Sequence, residues 1–305
     1  MDIEGQRRSG KFEDRGRGSH GGGGGLPINA LFSMVRLLGV KGTAVVGLLG
    51  VGVFFLAPAG VKQALLNAVS GGSQASGAST SGSGSACQAS DANTKACDFS
   101  RAVLASTEDV WKTQFQQATL PDYGSAPGPY QEPTLVVFSD AVATGGCGNA
   151  TSDTGPFYCP GDRNLYIDPT FYDVMERHLK APGDFAQAYV IAHEVGHHVQ
   201  NLIGSTRLQP AGETRNQVSV RVELQADCLA GVWGYSAKAS LKINEDDLKE
   251  AVNAAHAIGD DALGANSGDY THGSSAQRIR WFRRGFDGGD PRQCNTFAVA
   301  KYAEL

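Results

Sequence analysis

The chain has 305 residues, of which 41% are apolar and 19% are charged. This supply of apolar residues can fill a core, and the 40 glycines follow no three-residue period, so wholly disordered and collagen-like chains are excluded. The formal net charge is −5, and residues 63–305 hold 27 acidic against 18 basic side chains. Because such an acidic region repels a phosphate backbone, nucleic acid is not an expected partner.

Residues 1–41 predict a basic, mobile tail. They contain seven Lys and Arg against four Asp and Glu, and a run of glycines ends the first 25 residues. Few apolar side chains are available there to offset the entropy that a chain loses when it becomes ordered. We therefore expect this segment to be disordered and, given the segment that follows it, cytoplasmic.

Residues 42–61 form a candidate membrane span, because they contain no charged side chain. At about 1.5 Å per residue, a helix of this length covers the roughly 30 Å hydrocarbon layer. The excess of basic residues before the span predicts a cytoplasmic N-terminus and an extracytoplasmic remainder, periplasmic or at the cell surface. Two alternatives stay open: an export signal removed near the A-P-A sequence at 57–59, and a buried core helix.

Residues 62–86 are rich in Ser and Gly and predict a flexible linker, after which residues 87–305 predict one folded domain. Helical periodicity predominates in this domain, with short strand patterns such as the one at 164–168. The sequence thus predicts an α+β fold: a mainly helical domain with a small β-sheet, preceded by one transmembrane helix. The helices that matter most below are predicted at 184–203, about 212–238 and about 291–303.

The six cysteines all follow the candidate span: Cys87, Cys97, Cys147, Cys159, Cys228 and Cys294. An even number on the exported side favours disulfides, although fifteen pairings are possible. Cys87–Cys97 and Cys147–Cys159 would close short loops and leave Cys228 with Cys294. We take this pairing as a hypothesis.

The sequence H-E-V-G-H at 193–197 lies inside the predicted helix 184–203. Its two imidazoles, His193 and His197, are four residues apart and share one helix face, so both can reach a single metal ion. Glu194 projects about 100° around the helix, within reach of a water on that metal without being a ligand. This arrangement is typical of zinc metalloproteases; the alternative is a helix face that binds no metal.

A catalytic zinc needs a third protein ligand. The longer motif with a third histidine is excluded, since Gln200 and Ile203 occupy its Gly and His positions. Glu223 and Asp227 lie four apart on another predicted helix, so we predict Glu223 as the third ligand and Asp227 as the acceptor that orients a ligand imidazole. The alternative is a solvated stripe of charges that includes Arg221.

Four runs together resemble the bacterial putative neutral zinc metallopeptidase family. They are H-E-V-G-H-H-V-Q at 193–200, E-L-Q-A-D-C-L-A-G at 223–231, T-H-G-S-S-A-Q-R-I-R-W-F at 271–282 and R-R-S-G-K-F-E-D-R-G-R-G at 7–18. The resemblance implies a zincin-like catalytic domain in which the two motif histidines and Glu223 bind Zn²⁺ and Glu194 is the base. It also draws attention to His272 as a catalytic donor to the oxyanion, beside a helix whose Arg278 could point to the same site; a helix contact or an exposed histidine is the alternative.

These observations predict a membrane-anchored zinc endopeptidase in which a Glu general base and a metal-activated water hydrolyse a peptide or protein substrate. The strand at 164–168 could pair with an extended substrate if its edge is open. Two other functions stay open. One is a membrane-tethered binding or scaffold protein with a structural zinc, and the other is a zinc amidase that acts on peptidoglycan.

Overall fold

The structure is a computed structural model that describes residues 1–18, 84–124 and 127–305. Its helices are α1 (Asp91–Gln116), α2 (Phe171–Arg177), α3 (Asp184–Ile203), α4 (Arg215–Ala237), α5 (Glu245–Ala257) and α6 (Ser275–Gly288). Its strands are β1 (Phe12–Arg17), β2 (Thr134–Ser139), β3 (Ala141–Ala143), β4 (Asn149–Thr151), β5 (Phe157–Cys159) and β6 (Asn164–Ile167). The predicted α+β class, with helices predominating over small sheets, is confirmed.

The larger sheet has the strand order β1-β2-β6-β5. Strands β1 and β6 both run parallel to β2, and β5 is antiparallel to β6. The predicted strand at 164–168 corresponds to β6, which has a neighbour on each side. The hypothesis that a substrate pairs with this strand is therefore wrong, because its backbone groups already bond to β2 and β5; the edge strand on that side is β5.

Helices α3 and α4 cross at close range. A Cβ atom at Gly196 of α3 would lie 2.9 Å from the carbonyl oxygen of Ala226 on α4. Farther along α4, a Cβ atom at Gly231 would lie 2.1 Å from the carbonyl oxygen of Phe282 on α6. Because glycine has no side chain at these crossings, α4 packs backbone to backbone against both neighbours. This packing brings the chemistry-bearing faces of α3 and α4 together.

The hypothesised cysteine pairing is present. Disulfides join Cys87 to Cys97, Cys147 to Cys159, and Cys228 to Cys294. The last of these has a sequence separation of 66 and ties α4 to the chain beyond α6. The long-range link therefore fixes the helix that carries Glu223 and Asp227.

The C-terminal helix predicted at about 291–303 is wrong. Short 3₁₀ turns occupy this stretch instead, at Pro291–Cys294, Thr296–Ala298 and Tyr302–Glu304. The side chain of Asp290 accepts a hydrogen bond from the Arg292 N–H, and Asn295 accepts one from the Ala298 N–H. Side chains that bond to nearby backbone in this way favour turns over a continuous helix.

Residues 1–18 are folded, so the prediction of a mobile tail over 1–41 is wrong for this part; residues 19–41 lie outside the described residues. Strand β1 pairs with β2 through Phe12 to Arg17, and Ser9 is fully buried. The small number of apolar side chains therefore led to a wrong prediction of disorder for residues 1–18. The order of this segment comes from backbone pairing with an existing strand and from buried polar contacts.

The candidate span 42–61 and nearly all of the linker 62–86 lie outside the described residues. Of the helices that the structure describes, none combines the length and apolar character needed to cross a bilayer. Residues 1–18 belong to the same folded body as residues 84–124 and 127–305. The predicted topology, with the N-terminus in the cytoplasm and the domain outside, conflicts with this body, because a single crossing would separate its two parts.

Candidate metal centre

Two helices supply the predicted site residues. Helix α3 contributes His193, Glu194 and His197, and it ends where Gly204 adopts the left-handed conformation, with φ of 81°. Helix α4 contributes Glu223 and the fully buried Asp227. The structure therefore brings together the five residues that the sequence assigned to the metal and its surroundings.

The three predicted ligands converge on one point. The Nε2 atoms of His193 and His197 are 3.1 Å apart. Glu223 places one oxygen 3.2 Å from His193 Nε2 and the other 3.5 Å from His197 Nε2. Two nitrogens bound tetrahedrally to one zinc, each at about 2.0–2.1 Å, lie about 3.3 Å apart, so these separations fit a shared zinc ion.

Each ligand imidazole is oriented by an acceptor on its other nitrogen. Asp227 Oδ1 lies 2.8 Å from His193 Nδ1, and Gln200 Oε1 lies 2.8 Å from His197 Nδ1. The Gln200 amide nitrogen donates to the carbonyl of Val222 at 2.6 Å, which leaves the amide oxygen facing His197. Both Nδ1 atoms therefore carry a proton, which leaves the two Nε2 atoms as the positions that can bind a metal.

A metal ion could take the place of a proton in this group. The Nε2 atoms of His193 and His197 and the Glu223 carboxylate face one another at hydrogen-bond distance, and all three can act as metal ligands once the Nε2 atoms are deprotonated. Neutral imidazole and carboxylate are ligands that zinc accepts in a tetrahedral site. The donor set thus fits a divalent zinc ion.

A buried network holds Asp227 in place. Arg278 of α6 donates two hydrogen bonds of 2.9 Å, one to each carboxylate oxygen, and the Tyr189 hydroxyl donates to Oδ1 at 2.5 Å. Burial raises the pKa of Asp227, but Arg278 and His193 outweigh it and lower the pKa to about 2. Asp227 is therefore ionised, and Arg278 contacts both this carboxylate and, at 3.5 Å, the Nδ1 atom of His193.

The predicted ligands shift one another's pKa values. Burial raises the pKa of Glu223, yet His197, His193 and His272 hold it well below its usual range. Burial lowers the pKa of His193, but Asp227 and Glu223 outweigh this and raise it to about 10. An imidazole that attracts a proton so strongly is also a strong ligand for a metal cation.

Glu194 lies beside the metal group but is not one of the three converging ligands. Burial raises its pKa, while His197 and His193 oppose the increase, as does a hydrogen bond with the backbone of Tyr158 on the edge strand β5. A carboxylate with a raised pKa holds a proton more readily than an ordinary glutamate does. The role of Glu194 as the base stays a prediction.

His272 lies outside the ligand group, in the loop before α6. Asp260 Oδ1 is 3.1 Å from its Nδ1, and the other oxygen of Asp260 accepts from three successive backbone N–H groups, those of Thr271, His272 and Gly273, at 2.7, 2.7 and 3.0 Å. Burial lowers the pKa of His272, whereas Asp260 and Glu223 raise it, and the net shift is upward. His272 thus lies close enough to Glu223 for the charge of that carboxylate to raise its pKa.

The alternative of a solvated charge stripe on α4 is excluded. Arg221 is 1% exposed and donates to Glu213 and to the backbone carbonyl of Thr296. Glu223 is largely covered, with 16% of its side chain exposed. Arg221, Glu223 and Asp227 therefore have partners inside the protein.

Sequence reasoning missed three residues that support the site: Tyr189, Gln200 and Asp260. Tyr189 and Gln200 could have been found, because they lie four residues before His193 and three residues after His197, on the same side of α3. Asp260 precedes a loop without periodicity, and nothing in its spacing links it to His272.

A second acidic group includes Asp184, Asp247 and Glu250. In this structure the α-ammonium group of Met1 lies 3.1 Å from Asp184 and 2.5 Å from Asp247.

Comparisons with known proteins agree with this geometry. The sequence profile of a family described as putative neutral zinc metallopeptidase matches residues 1–297. The uncharacterized protein YpfJ of Escherichia coli K12 is 50% identical over 215 residues, which cover 67% of this chain and 72% of YpfJ. The uncharacterized protein Mb2605 of Mycobacterium bovis is 43% identical over 189 residues, covering 56% of this chain and 64% of Mb2605.

No solved structure matches the chain. The family match spans helices α3 and α4 as well as the N-terminal segment. The chain therefore belongs to the putative neutral zinc metallopeptidase family.

Proposed function

We propose that the protein is a zinc-dependent endopeptidase. The observation that carries this proposal is the convergence of two imidazole nitrogens and Glu223 at distances of 3.1 to 3.5 Å, with Glu194 beside them and not among the ligands. Three ligands and a separate carboxylate are the protein's share of a hydrolytic zinc site, where a fourth position is left for water or substrate.

A zinc ion held there would lower the pKa of a bound water to about 7 and polarise the scissile carbonyl. Glu194 accepts the proton of the attacking water and then passes it to the leaving amine. Its raised pKa supports both steps, because the carboxylate takes the proton and can also release it. His193 and His197 stay neutral ligands because Asp227 and Gln200 hold their Nδ1 protons.

His272 is the donor that we assign to the oxyanion of the tetrahedral intermediate. Asp260 holds its Nδ1, which leaves Nε2 to face the substrate. Its pKa is raised by Asp260 and Glu223 against the effect of burial, and this favours the protonated, donating form. The three backbone contacts of Asp260 keep the loop fixed while the charge develops.

The substrate is an extended segment of a peptide or protein, bound along the edge strand β5. Two contacts support this placement. The backbone of Tyr158 on β5 lies close enough to Glu194 to oppose the rise in its pKa, and the Tyr158 hydroxyl accepts from Asn201 of α3 at 3.0 Å. A segment added to the open side of β5 would pass next to the base.

Three disulfides support an extracytoplasmic location, since such bonds persist in oxidising compartments. In that compartment the same centre could also hydrolyse the amide cross-links of peptidoglycan, which is the second candidate. A purely structural zinc is less favoured, because structural sites have four protein ligands and the metal group found in the described residues has three.

The test compares the wild type with Glu194→Gln and His193→Ala. Metal analysis should find about one zinc per chain in the wild type and in Glu194→Gln, and much less in His193→Ala. Cleavage of casein should be lost in both variants, because one lacks the base and the other the metal. Purified peptidoglycan assayed in parallel tests the second candidate. Unchanged cleavage by Glu194→Gln would overturn the proposal.

A further inference from the structure

The segment R-R-S-G-K-F-E-D-R-G-R-G at 7–18 has no role in the proposed catalysis. It is nevertheless one of the four sequence runs that carry the resemblance to the family. In the structure this segment crosses the sheet edge and helix α1. Backbone hydrogen bonds secure it along its length: Ser9 N–H to the carbonyl of Arg101 at 3.0 Å, Leu135 N–H to Lys11 at 2.9 Å, and Gly18 N–H to Ser139 at 3.0 Å. These bonds join it to two separate elements.

Buried charges reinforce the backbone contacts. Glu108 of α1 is 2% exposed. It accepts a hydrogen bond from the Ser9 hydroxyl and forms an ion pair with Arg7 at 2.7 Å. Arg8 donates two hydrogen bonds, of 2.7 and 2.8 Å, to Asp98 of the same helix. The two arginines and the serine therefore contact three carboxylates of α1, those of Glu108, Asp98 and Asp109.

Asp14 forms the second anchor. Its carboxylate accepts from the backbone N–H groups of Ala86 and Cys87 at 3.0 and 3.1 Å, and from the Ser85 hydroxyl at 2.5 Å. Burial raises the pKa of Asp14, but these hydrogen bonds outweigh it and keep the pKa below its usual value. The segment thus fixes the residues where the body of the domain begins.

Strand β2 shows why the body needs this segment. Leu135, Val136, Val137 and Phe138 are each at most 1% exposed, and β1 covers the side of β2 that faces away from β6. Without β1, β2 would be an edge strand with four apolar residues in a row and unpaired backbone groups. Such an edge promotes pairing with other chains.

We propose that residues 1–18 are a docking segment that the body 84–305 holds by non-covalent contacts alone, so that both lie on the same side of a membrane. This inference is independent of the proposed catalysis. The docked segment consists of strand β1 and the preceding arginines Arg7 and Arg8, and its receptor is the edge of β2 together with the carboxylates of α1.

Cleavage of the full chain tests the non-covalent contacts. A recognition sequence for a site-specific protease is inserted between Gly23 and Gly24, and the cut protein is passed through a sizing column. We expect the N-terminal fragment to elute with the body, as detected by mass spectrometry. Elution of the fragment as a free peptide would overturn the proposal.

Two variants of the cut protein test whether the contacts are the observed ones. Ser9→Asp places a carboxylate against the buried Glu108, so the fragment should dissociate roughly tenfold faster or more. Arg17→Glu is the matched control, because the Arg17 side chain is 72% exposed and its pair with Asp140 contributes little. Equal retention of all three fragments would contradict the assigned interface. Circular dichroism before cutting checks that each variant is folded.

Cysteine labelling tests the shared side. Single cysteines replace the exposed residues Glu4 and Lys301 in the full chain, and intact cells are treated with a membrane-impermeant maleimide. The two positions should behave alike, either both reacting in intact cells or both reacting only after lysis. Reaction of one position in intact cells and of the other only after lysis would place them on opposite sides and overturn the proposal.

Discussion

The two histidines of the metal centre are supported in different ways. On one side, His193 bonds to a buried carboxylate, Asp227, which is neutralised by Arg278 of α6. On the other side, His197 bonds to the neutral amide of Gln200, which links α3 to α4. The charged support makes its imidazole more basic but requires a counter-ion from a third helix, whereas the amide requires none.

Because the support of His193 includes a buried ion pair, we expect a substitution there to lower the free energy of unfolding more than a substitution beside His197. Arg278 is 2% exposed, so Arg278→Met leaves Asp227 as a buried charge without its main partner. We expect a loss of about 3–5 kcal/mol in the free energy of unfolding, the usual cost of breaking a buried pair. Urea titration of the variant measures it.

The double variant Asp227→Asn, Arg278→Met sharpens this prediction, because it removes both charges. It should be less destabilised than the sum of the two single variants, with a coupling of about 1–3 kcal/mol. Simple additivity would show that the pair does not act as a unit.

Asp227→Asn alone tests the support of the metal. An asparagine keeps the size of the side chain but loses the negative charge that makes His193 a strong ligand. Zinc affinity should fall about 10- to 100-fold, as for other residues that orient a ligand histidine. Competition with a zinc-binding dye measures the affinity, and an unchanged value would mean that Asp227 serves only to hold Arg278.

Gln200→Met is the matching change on the neutral side. It removes the acceptor for His197 Nδ1 and the donor to Val222, but it leaves no buried charge unpaired. We expect a decrease in zinc affinity near the lower end of the same range, about tenfold, and a stability loss of about 1–3 kcal/mol. A decrease larger than that of Asp227→Asn would reverse the proposed order of the two supports.

The parts of this centre that follow local periodicity were predictable from the sequence. His193 and His197 share a face of α3 because they are four residues apart, and the same rule placed Glu223 and Asp227 on one face of α4. The bond between Gln200 and Val222 depends on how two helices cross, at Gly196. Periodicity describes one helix at a time, so it could not supply this contact.

The N-terminal strand was missed for a related reason. A short polar segment such as residues 12–17 has little tendency to form structure alone, and β2, its partner strand, is distant in the sequence. Pairing with a distant strand leaves no mark in local composition. The wrong helix prediction at 291–303 has a similar cause. Cys294 is joined to α4 by a disulfide, and the local pattern of apolar residues does not reveal this distant link.

A third histidine of α3 extends the comparison. His198 is fully buried and meets no carboxylate: its nitrogens bond to the Tyr158 hydroxyl at 3.1 Å and to the carbonyl of Gln131 at 2.5 Å. Burial, with a smaller effect of Arg163, lowers its pKa to about 4, despite the bond to Gln131. Two histidines of helix α3 thus have pKa values shifted in opposite directions. The pKa of His193 is raised because Asp227 lies beside its ring, whereas burial lowers the pKa of His198.

The lowered pKa of His198 makes stability depend on pH in a defined direction. The unfolded chain, with a histidine pKa near 6.5, binds the proton more readily than the folded protein, so stability is full above pH 6.5 and falls as the pH approaches 4. At pH 5.5 the contribution lost is about 1 kcal/mol. His198→Gln cannot titrate, so its stability should fall less between pH 7 and 5.5 than that of the wild type in the same denaturant titrations. Because acid also protonates the zinc ligands in both proteins, the difference between them is the measured quantity, and equal losses would show that His198 is charged in the folded state.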